Sequence, residues 1–125
     1  MLFRSHGVMA ITDGTAASGL AAGASARLGG RAIHVGAHAA FLDDGTLAGS
    51  TLTMDRAFRQ IVTAFGVSIV DAARLCSTTP ARVLGLTGLG VIAEDAWADV
   101  VVLDRGFSVC RTIVDGREIY TAPST

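Results

Sequence analysis

The sequence predicts an α/β chain, and three observations carry that reading. The run Val8-Met9-Ala10-Ile11-Thr12 is short, continuously apolar and partly β-branched, and it stops at a single carboxylate, Asp13. From Thr53 the apolar period becomes helical, and beyond Gly90 it becomes alternating and β-branched. Half of the 125 residues are hydrophobic, which is ample material for the core of one ordinary domain and argues against disorder.

Taken in order, Val8 to Thr12 is expected to be a strand covered on both faces by other elements. Asp13 ends it and opens the small-residue loop Gly14-Thr15-Ala16-Ala17-Ser18-Gly19, so a carboxylate stands where active-site residues stand in parallel-strand barrels. Gly14 to Gly30, rich in Gly, Ala and Ser, is expected to be irregular, because glycine weakens any helix there. Arg31 to Val35 and Ala39 to Leu42 read as the two strands of a hairpin, with the turn Asp43-Asp44-Gly45 after them.

Met54, Ala57, Phe58, Ile61, Val62 and Phe65 follow i, i+3, i+4, i+7, i+8 spacing and predict a helix with one buried face. Thr51 or Thr53 suits its cap, Asp55 suits the positive end of its dipole, and Gly66 suits a left-handed stop. Ser68 is expected to cap a second helix whose stripe is Ile69, Ala72, Ala73, Leu75 and Cys76. Thr79-Pro80-Ala81-Arg82-Val83-Leu84-Gly85 predicts a third, short helix with proline at its first position and glycine at its end. Gly90–Ala93, Asp99–Asp104, Val109–Val114 and Arg117–Tyr120 then read as four strands, the last two joined by an Asp115-Gly116 turn. Short strands with one apolar face need a further layer to cover it.

The formal net charge is -1, and the ten basic residues, all arginine, are scattered singly. Such a chain has no broad cationic field, so neither nucleic acid nor an anionic membrane is expected as a partner. Cys76 and Cys110 lie far apart in apolar surroundings and read as buried free thiols. No charged leader opens the sequence, and no uncharged apolar run reaches the roughly 20 residues that cross a bilayer, so cytoplasmic residence is expected.

The segments ITDGTAASG, LGGRAIHV, DDGTLAGSTLTMDRAF, STTPARVLGL and GVIAEDAWADVVVLD…TIVDGREI occur in the order found in N-acetylglucosamine-6-phosphate deacetylases, and the chain resembles that family of metal-dependent amidohydrolases over nearly its whole length. The strand-end Thr12-Asp13 and the block from Gly45 to Asp55 are the most specific pieces; the PARVLGL and ADVVVLD segments are shared more widely across amidohydrolases. The resemblance implies an α/β fold in which residues 1–88 form the C-terminal part of a (β/α)8 barrel, with an inserted hairpin at about 28–45. Residues 89–125 would form the C-terminal share of a small β-sandwich. A full barrel takes about 250 residues, so the chain is expected to be a C-terminal fragment holding the last barrel strand and its helices.

The implied activity is hydrolysis of the acetamide of N-acetyl-D-glucosamine 6-phosphate to D-glucosamine 6-phosphate and acetate, in amino-sugar catabolism. The implied cofactor is a divalent metal of the Zn or Fe type. Its glutamate and histidine ligands, like the family's phosphate-contacting arginine, would lie upstream of Met1; residues 1 to 7 do not reproduce them. The implied partners are the amino-sugar phosphate itself, the missing N-terminal part of the barrel, and further copies in a homo-oligomer of the intact enzyme. The isolated chain is expected to be inactive. Alternatives are a fragment of another amidohydrolase and a non-catalytic binding or assembly module.

Amide hydrolysis needs a nucleophilic water, stabilisation of the tetrahedral oxyanion and a proton for the departing amine. By resemblance Asp13 is the catalytic aspartate, taking a proton from metal-activated water and delivering it to the sugar nitrogen. From local pattern alone it reads equally as a turn or helix cap for the Gly14 to Ser18 loop. Leu47, Ala48 and Gly49 match the family's substrate-contacting stretch, where small residues would leave space for the ligand; otherwise they read as an ordinary loop before a capped helix.

His34 and His38 are four apart, which on a helix would place both on one face, but their surroundings predict strand, where they would stand about 13 Å apart. They read as surface histidines, and His6 matches no family ligand. Gly14 stands where the family commonly has alanine, and it is expected to loosen the backbone beside Asp13.

Overall fold

The computed structural model describes residues 7–123; His6 lies outside them. By contacts the chain divides into two compact units, Ile11–Ala57 and Phe58–Thr125, the latter taking in the segment that ends at Ala10.

The first unit is an antiparallel meander of four strands, β1 Ser25–Leu28, β2 Arg31–Val35, β3 Ala39–Leu42 and β4 Leu47–Ser50, side by side in chain order. The expected β2–β3 hairpin is present, in the register Ile33↔Leu42, His34↔Phe41 and Val35↔Ala40. Strand β1 occupies part of the stretch expected to be irregular. It pairs with β2 through a two-residue turn, Gly29-Gly30, with both glycines at positive φ as the right-handed twist of a hairpin favours. Between β3 and β4, Asp44 Oδ1 accepts the Thr46 N–H at 2.9 Å, and Leu42 and Thr46 close the turn. The register then shifts by one, leaving Ala48 as the extra residue of a bulge.

The core of this unit is thin. Ala17, Ile33, Val35 and Ala40 are buried together, with Ala24, Ala26, Leu42 and Ala48 packed against them, and Ile33 is the one large side chain fully enclosed.

Val8 to Thr12 does not form the predicted strand. Val8, Met9 and Ile11 are exposed, and Ala10 donates its N–H to Leu75 O at 2.9 Å rather than to a ladder. A parallel strand depends on neighbours for its hydrogen bonds, and none flanks this segment among the described residues.

Helix α1 is Met54–Thr63, and Gly66 takes the left-handed conformation beyond it as expected. Its apolar stripe is only partly covered: Ala57 is buried, while Phe65, past the helix end, is 74% exposed. In the second unit, Phe58 meets Phe107 edge-on at 5.6 Å between centroids, and Arg59 donates to Ser108 Oγ at 2.8 Å.

Ser68 caps α2, Ile69–Ala73, as predicted, accepting the Asp71 N–H. The chain then passes without a break through a wide π turn, Arg74–Thr78, into α3, Thr79–Val83. The second and third helices, read as separate, are continuous because the π turn sends the Thr79 N–H to Arg74 O and so accommodates a residue with no donor of its own. The Gly85 N–H to Arg82 O and the Leu86 N–H to Ala81 O close the helix in a Schellman arrangement.

Three strands follow instead of four: β5 Val100–Leu103, β6 Val109–Val114 and β7 Arg117–Thr121, antiparallel in that order. Gly90 to Ala93 is not a strand. The Gly90 carbonyl is taken by Thr78 Oγ1 at 2.6 Å, Gly90 sits so close to Ser77 O that no Cβ would fit, and Ile92 is exposed. The Asp115-Gly116 turn has both residues at positive φ, as the sequence required, and the Asp115 N–H is held by Asp99 Oδ1 at 2.8 Å. Apolar side chains of this sheet, Val101, Ile119 and Tyr120 among them, are exposed. Cys76 and Cys110 are free thiols as read, but half-buried rather than buried.

Candidate functional site around Asp13 and the end of β4

Asp13 has φ of 51°, a left-handed backbone that aspartate tolerates better than most residues. Its carbonyl accepts the Ser50 N–H at 2.9 Å, and Gly14 pairs with Ser50 as an isolated parallel bridge. The backbone hydrogen bonding to β4 is therefore made through the last residue of that strand. The Asp13 side chain is exposed, and no group among the described residues hydrogen-bonds its carboxylate.

The turn after Asp13 is closed by its own hydroxyls. Ser18 Oγ accepts the Thr15 N–H at 3.1 Å and donates to Ser50 O at 3.2 Å, while Thr15 Oγ1 accepts the Ala17 N–H at 3.2 Å. Ser50 Oγ in turn accepts the Leu52 N–H at 2.8 Å, fixing the exit from β4 towards α1. Thr15, Ser18 and Ser50 were not singled out by the sequence reading. The signal was the hydroxyl residues flanking Asp13, which favour such local backbone bonds.

The sequence-predicted residues separate by position on β4. Gly49 is buried against the Asp13 turn: a Cβ there would sit 2.4 Å from Thr15 Cγ2 and 3.1 Å from Asp13 O. Its smallness is thus required by the protein's own loop. Ala48 is half-buried in the bulge, and Leu47, 63% exposed, pairs with Phe41. Asp13 and Gly49 are brought together; Leu47 is not.

An open cleft of about 420 Å³ lies along the same loop, lined by the hydroxyl residues Thr12, Thr15, Ser18 and Thr53 together with Leu52 and Met54. A second hollow, of about 300 Å³, lies in the other unit beside Asp95, Trp97 and Asp115.

His34 belongs to β2, where its ring bonds Asp43 Oδ1 at 2.5 Å and Ser25 Oγ at 3.2 Å across the sheet surface. His38 lies in the turn before β3, so the two share no helical face, and both are exposed. Among the described residues no three His, Cys, Asp or Glu side chains converge to hold a metal ion. The described donors do not fit a divalent metal by themselves. No helix is long and apolar enough to cross a membrane among the described residues.

Asp13 is tied through its backbone to the end of the edge strand β4, and helices and a short three-stranded sheet follow it in the chain. The profile of the amidohydrolase family matches residues 9–119, and the chain belongs to that family. Within it, the chain is homologous to deacetylases of amino-sugar phosphates. It is 36% identical over 111 residues to an N-acetylglucosamine-6-phosphate deacetylase of Lysinibacillus sphaericus, covering 89% of this chain and 28% of the relative. It is 35% identical to an N-acetylgalactosamine-6-phosphate deacetylase of Escherichia coli O157:H7, covering 88% and 29%.

Solved structures agree. The N-acetylglucosamine-6-phosphate deacetylase of Thermotoga maritima superposes with a TM-score of 0.83 at 34% identity, over 95% of this chain and 32% of that one. A point mutant of the Mycobacterium smegmatis enzyme, in complex with N-acetyl-D-glucosamine 6-phosphate, superposes with a TM-score of 0.84 at 36% identity, over 94% and 32%. The chain spans under a third of the length of each of these four proteins.

Proposed function

We propose that this chain is the proton-transfer portion of an N-acetylglucosamine-6-phosphate deacetylase-type hydrolase: the C-terminal part of a (β/α)8 barrel, with β5–β7 as its share of a β-sandwich. The observation that carries the reading is the exposed Asp13 carboxylate on a left-handed backbone tied to Ser50, directly after the Leu47–Gly49 stretch. The carboxylate is thereby held in the open beside the Leu47–Gly49 stretch, with its backbone fixed and its oxygens uncommitted among the described residues.

The reaction splits the amide of N-acetyl-D-glucosamine 6-phosphate. Water adds to the acetyl carbon, and the Asp13 carboxylate accepts the proton that this water gives up. As the C–N bond breaks, Asp13 returns that proton to the nitrogen, so acetate leaves and the amine remains on the sugar. Leu47, Ala48 and the Gly49 backbone contact the substrate in this reading, Gly49 also being the residue packed against the Asp13 turn. The divalent metal of the intact enzyme is held by ligands outside this chain.

The test is deacetylation of N-acetyl-D-glucosamine 6-phosphate by the chain alone and by the chain assembled with a polypeptide supplying the rest of the barrel. The chain alone gives no turnover, the assembly does, and Asp13→Ala in the assembly lowers kcat by about 10²–10⁴-fold without loss of folding. Robust turnover by the chain alone, or an Asp13→Ala assembly as fast as the parent, refutes the proposal. The exposed Val101, Ile119 and Tyr120 also favour a second reading, a non-catalytic assembly module. That reading predicts association with the barrel polypeptide and indifference to Asp13→Ala.

A further inference from the structure

Gly14 and Ser18 form a matched pair. A Cβ on residue 14 would stand 2.8 Å from Ser18 Oγ and 3.2 Å from Thr12 Oγ1. The hydroxyl that claims this space is committed on both sides, accepting from Thr15 N and donating to Ser50 O. Ser50 is also the residue whose N–H binds the Asp13 carbonyl. One side chain therefore clamps the turn after Asp13 onto the strand end that holds Asp13 itself. Rotating Ser18 away to admit a larger residue 14 would break both bonds. Gly14, expected to loosen this backbone, is instead pinned by its bridge to Ser50.

We infer that Ser18 is a positioning residue for Asp13, and that Gly14 is there to admit its hydroxyl. The inference rests on the catalytic reading of Asp13 above. Ser18 touches no reacting atom; it acts by fixing where the Asp13 backbone meets β4.

The test has two arms. In the first, amide hydrogen exchange is followed by NMR on the full 125-residue chain. Ser18→Ala speeds exchange at Thr15, whose N–H loses its acceptor, and at Ser50, whose N–H bond to Asp13 O the Ser18 clamp supports, each by about five- to tenfold, the scale of one ordinary hydrogen bond. The Val35 amide, bonded to Ala24 O in the sheet, keeps its rate. Gly14→Ala reproduces the effect in the parent chain but adds less than about twofold in the Ser18→Ala background, because the two sites are coupled. Ser18→Thr, which keeps the hydroxyl, restores parent rates.

In the second arm, in the assembled enzyme, Ser18→Ala lowers kcat while KM stays put, and Ser18→Thr recovers kcat. Unchanged exchange at Ser50 in Ser18→Ala overturns the inference, as does a Gly14→Ala cost equal in both backgrounds. Exchange that responds while kcat does not also overturns it, leaving Ser18 a local turn former. If Ser18→Ala unprotects Val35 too, the Gly14→Ala variant, which keeps the hydroxyl, decides by the same Ser50 readout. An assembly inactive even with the parent chain refutes the deacetylase reading, and the exchange arm then decides the Gly14–Ser18–Ser50 linkage alone.

Discussion

Replacing Gly49 with alanine tests the contact on which the candidate site is built. The new methyl would lie 2.4 Å from Thr15 Cγ2 and 3.1 Å from Asp13 O, and residue 49 would have to hold φ of 139°. Overpacking of this kind costs about 1–3 kcal/mol. A side chain in a region reserved for glycine adds about 1–3 kcal/mol. The sum, about 2–6 kcal/mol, is a large share of the roughly 5–15 kcal/mol that stabilises an ordinary domain. The unit concerned has a core of two alanines, Val35 and Ile33, so it has little reserve.

The assay is urea and thermal unfolding followed by circular dichroism, on Gly49→Ala with and without Thr15→Ser. Serine removes the offending Cγ2 but keeps the Oγ that accepts the Ala17 N–H. The double variant should recover the overpacking part and leave the φ part, giving a coupling of about 1–2 kcal/mol. A Gly49→Ala cost below about 0.5 kcal/mol, or costs that simply add, would mean that the 13–15 turn does not rest on residue 49 as described.

Two further outcomes follow from titratable groups. The Asp44 carboxylate is held below the ordinary aspartate range chiefly by the Thr46 N–H and then by the Thr46 hydroxyl, with desolvation opposing and Arg31 adding a smaller lowering. Its contribution is therefore present above the unfolded-state value and lost as pH falls through the lower folded one, so the Thr46 amide should lose protection only in acid; an Asp44→Asn chain showing the same acid transition would refute this. Burial pushes the Cys76 thiol up, so in a Cys110→Ser chain alkylation at mildly alkaline pH should run slower folded than in urea, and equal rates would contradict the burial.

Legibility in the sequence followed the range of the interaction. The hairpin β2–β3, the Ser68 cap and the Asp115-Gly116 turn were readable because turn chemistry and period are decided within a few residues. Strand β1 was missed, although Gly29-Gly30 is itself a two-residue hairpin signal, because the glycine-rich run around it masked the pattern. Val8 to Thr12 carries a strand's composition, but composition cannot supply neighbouring strands to bond with. At the site, Asp13 was marked by its place at the end of an apolar run. The roles of Ser18 and Ser50 were not, since a bond spanning 32 residues depends on tertiary placement.

The wide helical turn before α3 has an effect well outside the helix. Leu75 O has two candidate donors in its own helix: the Thr79 N–H, already given to Arg74 O, and the nitrogen of Pro80, which carries no hydrogen. That carbonyl is left available, and the amide of Ala10 takes it. A missing proton on one imino acid thus creates the mooring for a stretch of chain laid down long before it.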